Sequence, residues 1–246
     1  DNSPDKIIEG ISFHSLRSNN IFYKIYGNEK LLIPLINKFN LSKNIYDITH
    51  TDKIVEGEDT ALSAAKRGKD TSLWLAIESL KNNNADAIVS AGNTGALFLI
   101  SKLNLKMIEN IDKPALSALW PSKKNMSVVL DLGANIECNV KNLIDFSIMG
   151  SALLKALFIN EKPKVALLNI GSEEIKGNAI IKETYQKLSE NKYTLFDFKG
   201  FIEGNNIMEG NVNVIVADGF TGNIALKTAE GTSNFITSEL KKALSS

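Results

Sequence analysis

The sequence predicts an α/β fold built on a mostly parallel sheet with helices on both faces. Four continuous apolar runs each end in a polar residue and a glycine, within 87–95, 128–135, 165–172 and 214–223. Unbroken rather than alternating apolar character is what a strand covered on both faces shows. Amphipathic helical stretches separate the runs, and Gly, Asn, Ser and Thr crowd the turns that follow them. Parallel strands of an open α/β sheet end at one edge, and ligands bind in the crevice there. Glycine lets backbone N–H groups approach an anion closely, and Asn, Ser and Thr add neutral hydrogen bonds. The expectation is one site, assembled from four strand ends and shaped for a small oxyanion.

In chain order, residues 4–18 read as a helix with Ile7, Ile8, Ile11 and Leu16 on one face and Phe13 near its edge. A strand is expected over 21–26, a helix over 29–39 in spite of Pro34, and a strand over 45–49. The polar, glycine-punctuated stretch 53–70 reads as a loop with a helical turn at 61–66, and 71–83 as an amphipathic helix leading into the first of the four runs. Further helices are expected over 95–106, 142–158, 177–189 and 222–244, with strands at 115–119 and 193–198. The 115–119 strand meets the Val128 run after only a short turn, which predicts a local antiparallel hairpin. With no linker, low-complexity tract or repeat in view, the reading is a single α/β domain over 1–246.

Composition narrows the chemistry. A chain of 246 residues with 43% apolar and 23% charged residues has ample core, and its formal net charge of zero lacks the basic field a nucleic-acid binder needs. Only Arg17 and Arg67 are arginines, so bidentate guanidinium clamps are not the main means of holding phosphate. The single cysteine, Cys138, excludes an intramolecular disulfide framework and a CxxC metal site, and it fits a reducing compartment. No apolar run reaches the roughly 20 residues of a membrane-spanning helix, and no signal peptide is read at the start. Because the chain opens on a loop and a helix, it is expected to lack the strand with which doubly wound folds usually begin.

Ser90-Ala91-Gly92-Asn93-Thr94-Gly95 reads either as an anion nest at a helix N-terminus or as an ordinary strand-to-helix turn capped by Asn and Thr. It is not GxGxxG and lacks a GKS/T ending, so nicotinamide and nucleoside-triphosphate chemistry are disfavoured. In Gly171-Ser172-Glu173-Glu174-Ile175-Lys176-Gly177-Asn178, Lys176 lies in a glycine-flanked turn from which its ammonium can reach a crevice. The alternative is a surface ion pair. Asp218-Gly219-Phe220-Thr221-Gly222-Asn223 has the same layout, and Asn223 either caps the last helix or polarises a carbonyl. Asp131 is expected to tie down loop N–H groups, Asn135 to contact substrate, and Cys138 to serve as a small buried hydrophobe. With only His14 and His50, a Ser-His-Asp or zinc site is hard to assemble, so no metal and no cofactor is expected.

Together SAGNTGA from Ser90, DLGAN from Asp131, LNIGSEEIKGN from Leu168 and DGFTGNIALKTAE from Asp218 resemble the PlsX phosphate acyltransferase family. The resemblance extends to Lys66-Arg67-Gly68-Lys69-Asp70-Thr71-Ser72, Asp112-Lys113-Pro114-Ala115, Met149-Gly150-Ser151 and Glu203-Gly204. It implies a three-layer α/β/α Rossmann-like sheet, similar to the phosphotransacetylase and isopropylmalate dehydrogenase-like fold. It implies reversible transfer of a fatty acyl group from acyl carrier protein to inorganic phosphate. The acyl phosphate so formed would serve a downstream membrane acyltransferase of phospholipid synthesis. It also implies a cytoplasmic homodimer with peripheral contact at the inner face of the cell membrane. The family pattern further carries an opening strand with a Gly-Gly-Asp loop and, after the last helix, more strands with a His-Gly motif. Gly68 stands where a basic residue is usual, so less positive charge is expected in that loop.

On this reading Lys176 and Asn223 are the catalytic candidates. Ser90, Gly92, Asn93, Thr94, Gly95, Asn135, Glu174, Asp218 and Gly219 are the phosphate- and substrate-binding candidates. Lys102, Lys106, Lys113, Lys123 and Lys124 are candidates for a patch that steers an acidic carrier protein, or else plain solvated surface. The last helix, with Ile224, Phe235, Ile236 and Leu240, offers a dimer or membrane-facing surface, or else core packing. Two other readings fit the same residues: a coenzyme-A-dependent phosphotransacetylase-like enzyme, and a non-catalytic scaffold that binds acyl groups or phosphate.

Overall fold

The four motifs are distributed over two compact units, Asp1–Met107 and Ile108–Ser246. The computed structural model describes residues 3–18, 20–190 and 193–245.

The first unit runs α1 (Asp5–Ser15), β1 (Tyr23–Gly27), α2 (Glu29–Lys38), β2 (Tyr46–His50), α3 (Ala61–Lys66), α4 (Ser72–Lys81) and α5 (Thr94–Asn104). β1 and β2 pair in parallel, Tyr23 opposite Tyr46 and Gly27 opposite His50. Ile8, Ile25, Leu32 and Ile36 close a core between this pair and α1 and α2. Helix starts follow side-chain capping: Asn28, Thr60, Thr71 and Asn93 each accept a first-turn N–H of α2, α3, α4 and α5. The turn expected at 61–66 is the helix α3. The apolar run 87–89 is not a strand. Among the described residues nothing pairs with it, and Val89 is 85% exposed. A strand is defined by ladder partners, and β1 and β2 pair only with each other here.

The second unit holds a five-stranded sheet in the order β3-β4-β7-β5-β6. Its strands are β3 (Ser117–Pro121), β4 (Met126–Leu130), β5 (Lys164–Asn169), β6 (Asp197–Glu203) and β7 (Val214–Val216). β3 runs antiparallel to β4, as the short turn predicted, and the remaining pairs are parallel. α6 (Val140–Leu157) and α7 (Ala179–Glu190) contribute Leu143, Phe146, Leu154, Ile181 and Leu188 to the core on one face. A 3-10 helix (Gly204–Glu209) and α8 (Gly219–Ser245) contribute to a second core against Val129, Ala166 and Ile215. The strand expected at 193–198 begins later, at Asp197, whose N–H donates to Pro163 O at 2.9 Å. Tyr193 instead stacks on Phe196 with ring centres 4.7 Å apart. Gly200 (φ +81°) lies within β6, opposite a register shift between Val165 and Leu167 of β5, so an apparent turn residue serves a bulge.

Candidate active site

β4, β7 and β5 are adjacent and parallel, with Leu130 and Leu167 both in register with Val216. Their C-terminal ends therefore deliver the 131–135, 217–223 and 170–178 loops to one sheet edge. At strand spacings of about 4.8 Å, β4 and β5 lie about 10 Å apart across β7. Asn135, Asp218, Gly219, Asn223, Glu174 and Lys176 all belong to this edge.

Asp131 is the anchor. It is completely buried, and its Oδ1 accepts from the N–H groups of Leu116, Gly133 and Ala134 at 3.0, 3.3 and 3.0 Å. Its Oδ2 accepts from Asn135 N–H at 2.8 Å and Asn135 Nδ2 at 2.7 Å. The expected tie-down role is what the structure shows. Asn135 Nδ2 also donates to Pro114 O at 2.7 Å, and Asn135 O accepts the Gly219 N–H at 2.8 Å. The carboxamide hydrogens of Asn135, expected to contact substrate, thus hold the loop instead. Cys138 is buried, its Sγ directed to Asn135 O at 3.6 Å, and burial pushes the thiol above its ordinary pKa. A thiol held protonated suits the packing role expected of it.

The start of α8 is pressed onto this loop. Asp218 caps the helix, Oδ1 accepting Thr221 N–H and Oδ2 accepting Thr221 Oγ1, both at 2.8 Å. Gly219 and Gly222 are buried, and the close backbone approach requires glycine at both: a Cβ on Gly219 would lie 2.7 Å from Asn135 O, and one on Gly222 would overlap Asp131 O. Gly133 adopts φ +128°, and a Cβ there would meet Asn223 Cγ at 3.4 Å. The carboxamide of Asn223 therefore lies over the glycine of the 131–135 loop, itself exposed, while Asp218 does the capping.

The Lys176 turn is held from beneath by a residue that lies within the 168–178 motif but is not among the candidate site residues. Asn169, the last residue of β5, donates through Nδ2 to Gly171 O at 3.1 Å and Lys176 O at 3.3 Å. A polar residue closing an apolar strand was the available signal, the same one that marked Asp131. Lys176 is exposed, and among the described residues no carboxylate pairs with its ammonium. A Cβ on Gly171 would meet Lys176 Cγ at 2.9 Å, so the lysine stem folds across that glycine. Glu174 turns to α7, its Oε1 accepting from Tyr185 OH at 2.7 Å, a bond that raises the tyrosine pKa.

In the first unit, the 90–95 turn opens α5. Ser90 Oγ accepts the Gly92 N–H at 3.3 Å. Asn93 Oδ1 accepts the Ala96 N–H at 2.9 Å, while its Nδ2 donates to Gly57 O and Asp59 O at 3.2 and 2.8 Å. The structure shows the capping reading of this turn: Asn93 is a cap and a loop tether, and, as at any helix start, the N–H groups of Thr94 and Gly95 have no intrahelical acceptor.

Of the lysines considered for a steering patch, Lys123 and Lys124 occupy the β3–β4 turn, at the sheet edge opposite the strand-end loops. Lys123 pairs with Glu209 at 2.7 Å and Lys124 donates to Asn211 at 2.8 Å. The hairpin reverses the chain, so proximity in sequence did not carry these residues to the site. Lys113 lies on the strand-end side, its Nζ donating to Glu137 O at 2.9 Å.

Among the described residues no group of three His, Cys, Asp or Glu side chains could hold a metal ion, and no helix is long and apolar enough to cross a membrane.

A family described as "Fatty acid synthesis protein" matches residues 1–246. The chain is 67% identical over 244 residues to a phosphate acyltransferase of Pelagibacter ubique, covering 99% of this chain and 73% of that protein. It is 43% identical over 249 residues to a phosphate acyltransferase of Maricaulis maris, covering 100% of this chain and 70% of that one. A crystal structure of a branched-chain phosphotransacylase from Enterococcus faecalis V583 shares the fold, with TM-score 0.53 and 14% identity over 85% of this chain and 83% of the other. The Rossmann-like α/β reading holds on that comparison, and the chain belongs to the fatty acid synthesis protein family of phosphate acyltransferases.

Proposed function

We propose that this acyltransferase moves a fatty acyl group from acyl carrier protein to inorganic phosphate, reversibly, with residues 1–246 acting as one phosphate acyltransferase domain. The observation that carries the proposal is the delivery of Lys176, Asn223 and the 131–135 loop to one sheet edge by three adjacent parallel strands. Phosphate is itself a nucleophile, so no activated serine or cysteine is needed. A phosphate oxygen attacks the thioester carbonyl carbon, negative charge develops on the carbonyl oxygen, and the C–S bond breaks to release thiolate. A free thiol ionises near pH 8.5, so about that acidity lets the thiolate leave without a strong general acid. The protein's task is then alignment and stabilisation of the oxyanion. Lys176 supplies a positive charge and Asn223 a carboxamide donor for that oxygen or for phosphate. Asn135, Asp218, Gly219 and Glu174 shape the surroundings, Glu174 by fixing the turn to α7.

The 90–95 turn of the first unit, with Ser90, Gly92, Asn93, Thr94 and Gly95, is proposed as a phosphate-binding turn. Its test uses glycine. A Cβ on Gly95 meets nothing closer than Asn93 Oδ1 at 3.5 Å, so Gly95→Ala fits without strain. Alanine inside a helix adds up to about 1 kcal/mol over glycine. The expected result is an unchanged or raised Tm with a phosphate KM raised about tenfold or more. A KM within twofold of wild type overturns phosphate binding by this turn.

The partner proposals are an acidic carrier protein, a second copy of the chain, a downstream acyl-phosphate-consuming membrane acyltransferase, and peripheral contact with the cytoplasmic membrane face. Lys113 is the steering lysine on the strand-end side. Exposed charges act over about 10 Å at 0.1 M salt. Lys113→Glu is therefore expected to lower kcat/KM for the carrier-protein thioester several-fold at low salt, with the difference fading at high salt. The deciding experiment offers the protein a long-chain acyl-carrier-protein thioester with and without phosphate, beside the coenzyme A thioester. Phosphate-dependent loss of the carrier-protein thioester supports the reading. Preference for coenzyme A supports a phosphotransacetylase-like enzyme, and binding without turnover supports a scaffold.

A further inference from the structure

Exposed apolar side chains gather at the strand-end edge of the second unit. Ile136, Ile170, Ile175, Phe220 and Ile224 are 71, 82, 78, 60 and 52% exposed. Single exposed hydrophobes are ordinary on a protein surface, and a cluster beside a polar site is not. Ile136 follows Asn135, whose carbonyl accepts the Gly219 N–H, so it adjoins the first turn of α8. Ile170 and Ile175 lie on the same loop as Lys176. Phe220, Asn223 and Ile224 stand at i, i+3 and i+4 of α8, which places them on one helical stripe. Each polar candidate for the reacting carbonyl thus has large aliphatic or aromatic neighbours exposed beside it.

We infer that this apolar rim, with Phe220 and Ile224 at its centre, is the surface along which the acyl chain lies, and that it sets the preference for long over short chains. The inference rests on the acyl-transfer reading above. Its occupant follows from position: the group attached to a carbonyl at Lys176 and Asn223 extends away from them across these side chains. Each methylene moved from water into apolar contact is worth about a fourfold gain in affinity, so a rim that covers even part of a chain discriminates by length.

The test is a chain-length series of acyl thioesters from four to sixteen carbons, read as the ratio of kcat/KM for the longest over the shortest. In Phe220→Ser/Ile224→Ser this ratio is expected to fall at least tenfold. Ile159→Ser, still more exposed but between α6 and β5 at the other sheet edge, is expected to leave it unchanged. Ile170→Ser/Ile175→Ser, which changes a loop and no helix, decides the matter should the helix variant fold poorly. A second readout needs no turnover: wild type is expected to bind cis-parinaric acid at least tenfold more tightly than either double variant. Turnover by wild type with an unaltered ratio in folded variants overturns the inference. Absent phosphate-dependent turnover with parinarate binding lost in the variants overturns the acyl-transfer reading and leaves the apolar rim standing. Unaltered parinarate binding overturns the rim.

Discussion

Lys176→Ala and Asn223→Ala are each expected to lower kcat by about 10²- to 10³-fold, the effect of removing one donor to a developing oxyanion. Both residues are exposed, so the loss is not one of folding. Substitutions of this kind usually change stability by less than about 0.5 kcal/mol, and the variants should unfold at the wild-type temperature. Retention of more than a tenth of wild-type turnover in folded Lys176→Ala removes the ammonium from the chemistry. Lys176→Arg separates charge from shape. The guanidinium keeps the positive charge but is planar and bulkier, and the stem must still cross Gly171. Recovery by arginine points to a purely electrostatic role, whereas continued loss points to a positioned point charge. Asn223→Asp places a negative charge over Gly133, where the proposal requires a donor, and should be worse than Asn223→Ala.

Much of this site was legible in the sequence because its parts are backbone devices with composition signatures. The runs at Val128, Val165 and Val214 became adjacent buried strands, since unbroken apolar stretches have few other solutions once helices cover both faces. Asp131 was legible too, a carboxylate closing such a run ahead of a glycine loop full of free N–H groups. The run at 87–89 had the same composition and failed, because pairing belongs to the ladder and not to the residues. Asn135 was half legible: its place on the strand-end loop was visible, but the bond of its carboxamide to Pro114 O depends on a segment 21 residues upstream. Lys123 and Lys124 were misplaced because the hairpin turn carries them to the far edge. The support of Lys176 by Asn169 was half legible: a polar residue closing an apolar run marked the position, but nothing in the spacing says that its side chain closes back on its own turn.

The largest stability effect belongs to Asp131. Alanine there is expected to cost about 3–5 kcal/mol, because one deletion leaves a whole set of buried donors without an acceptor. The donors are the N–H groups of Leu116, Gly133, Ala134 and Asn135 together with the Asn135 carboxamide. A domain is stable by about 5–15 kcal/mol in total, so the loss approaches the point of unfolding. Removing the Asp218 cap is a useful comparison. Asp218→Ala loses bonds to Thr221 alone and should cost about 1 kcal/mol. Asp131→Asn keeps the shape but turns an NH₂ toward N–H donors, so it should fall between the two. Urea unfolding of the three variants, read as the shift in midpoint at constant slope, checks the order. If Asp131→Ala were no less stable than Asp218→Ala, the loop from β4 to α6 would be held by the pressure of α8 on Asp131 O and Asn135, and not by the carboxylate. In that event Gly222→Ala, which drives a methyl group into Asp131 O, would be the most damaging single change at this edge.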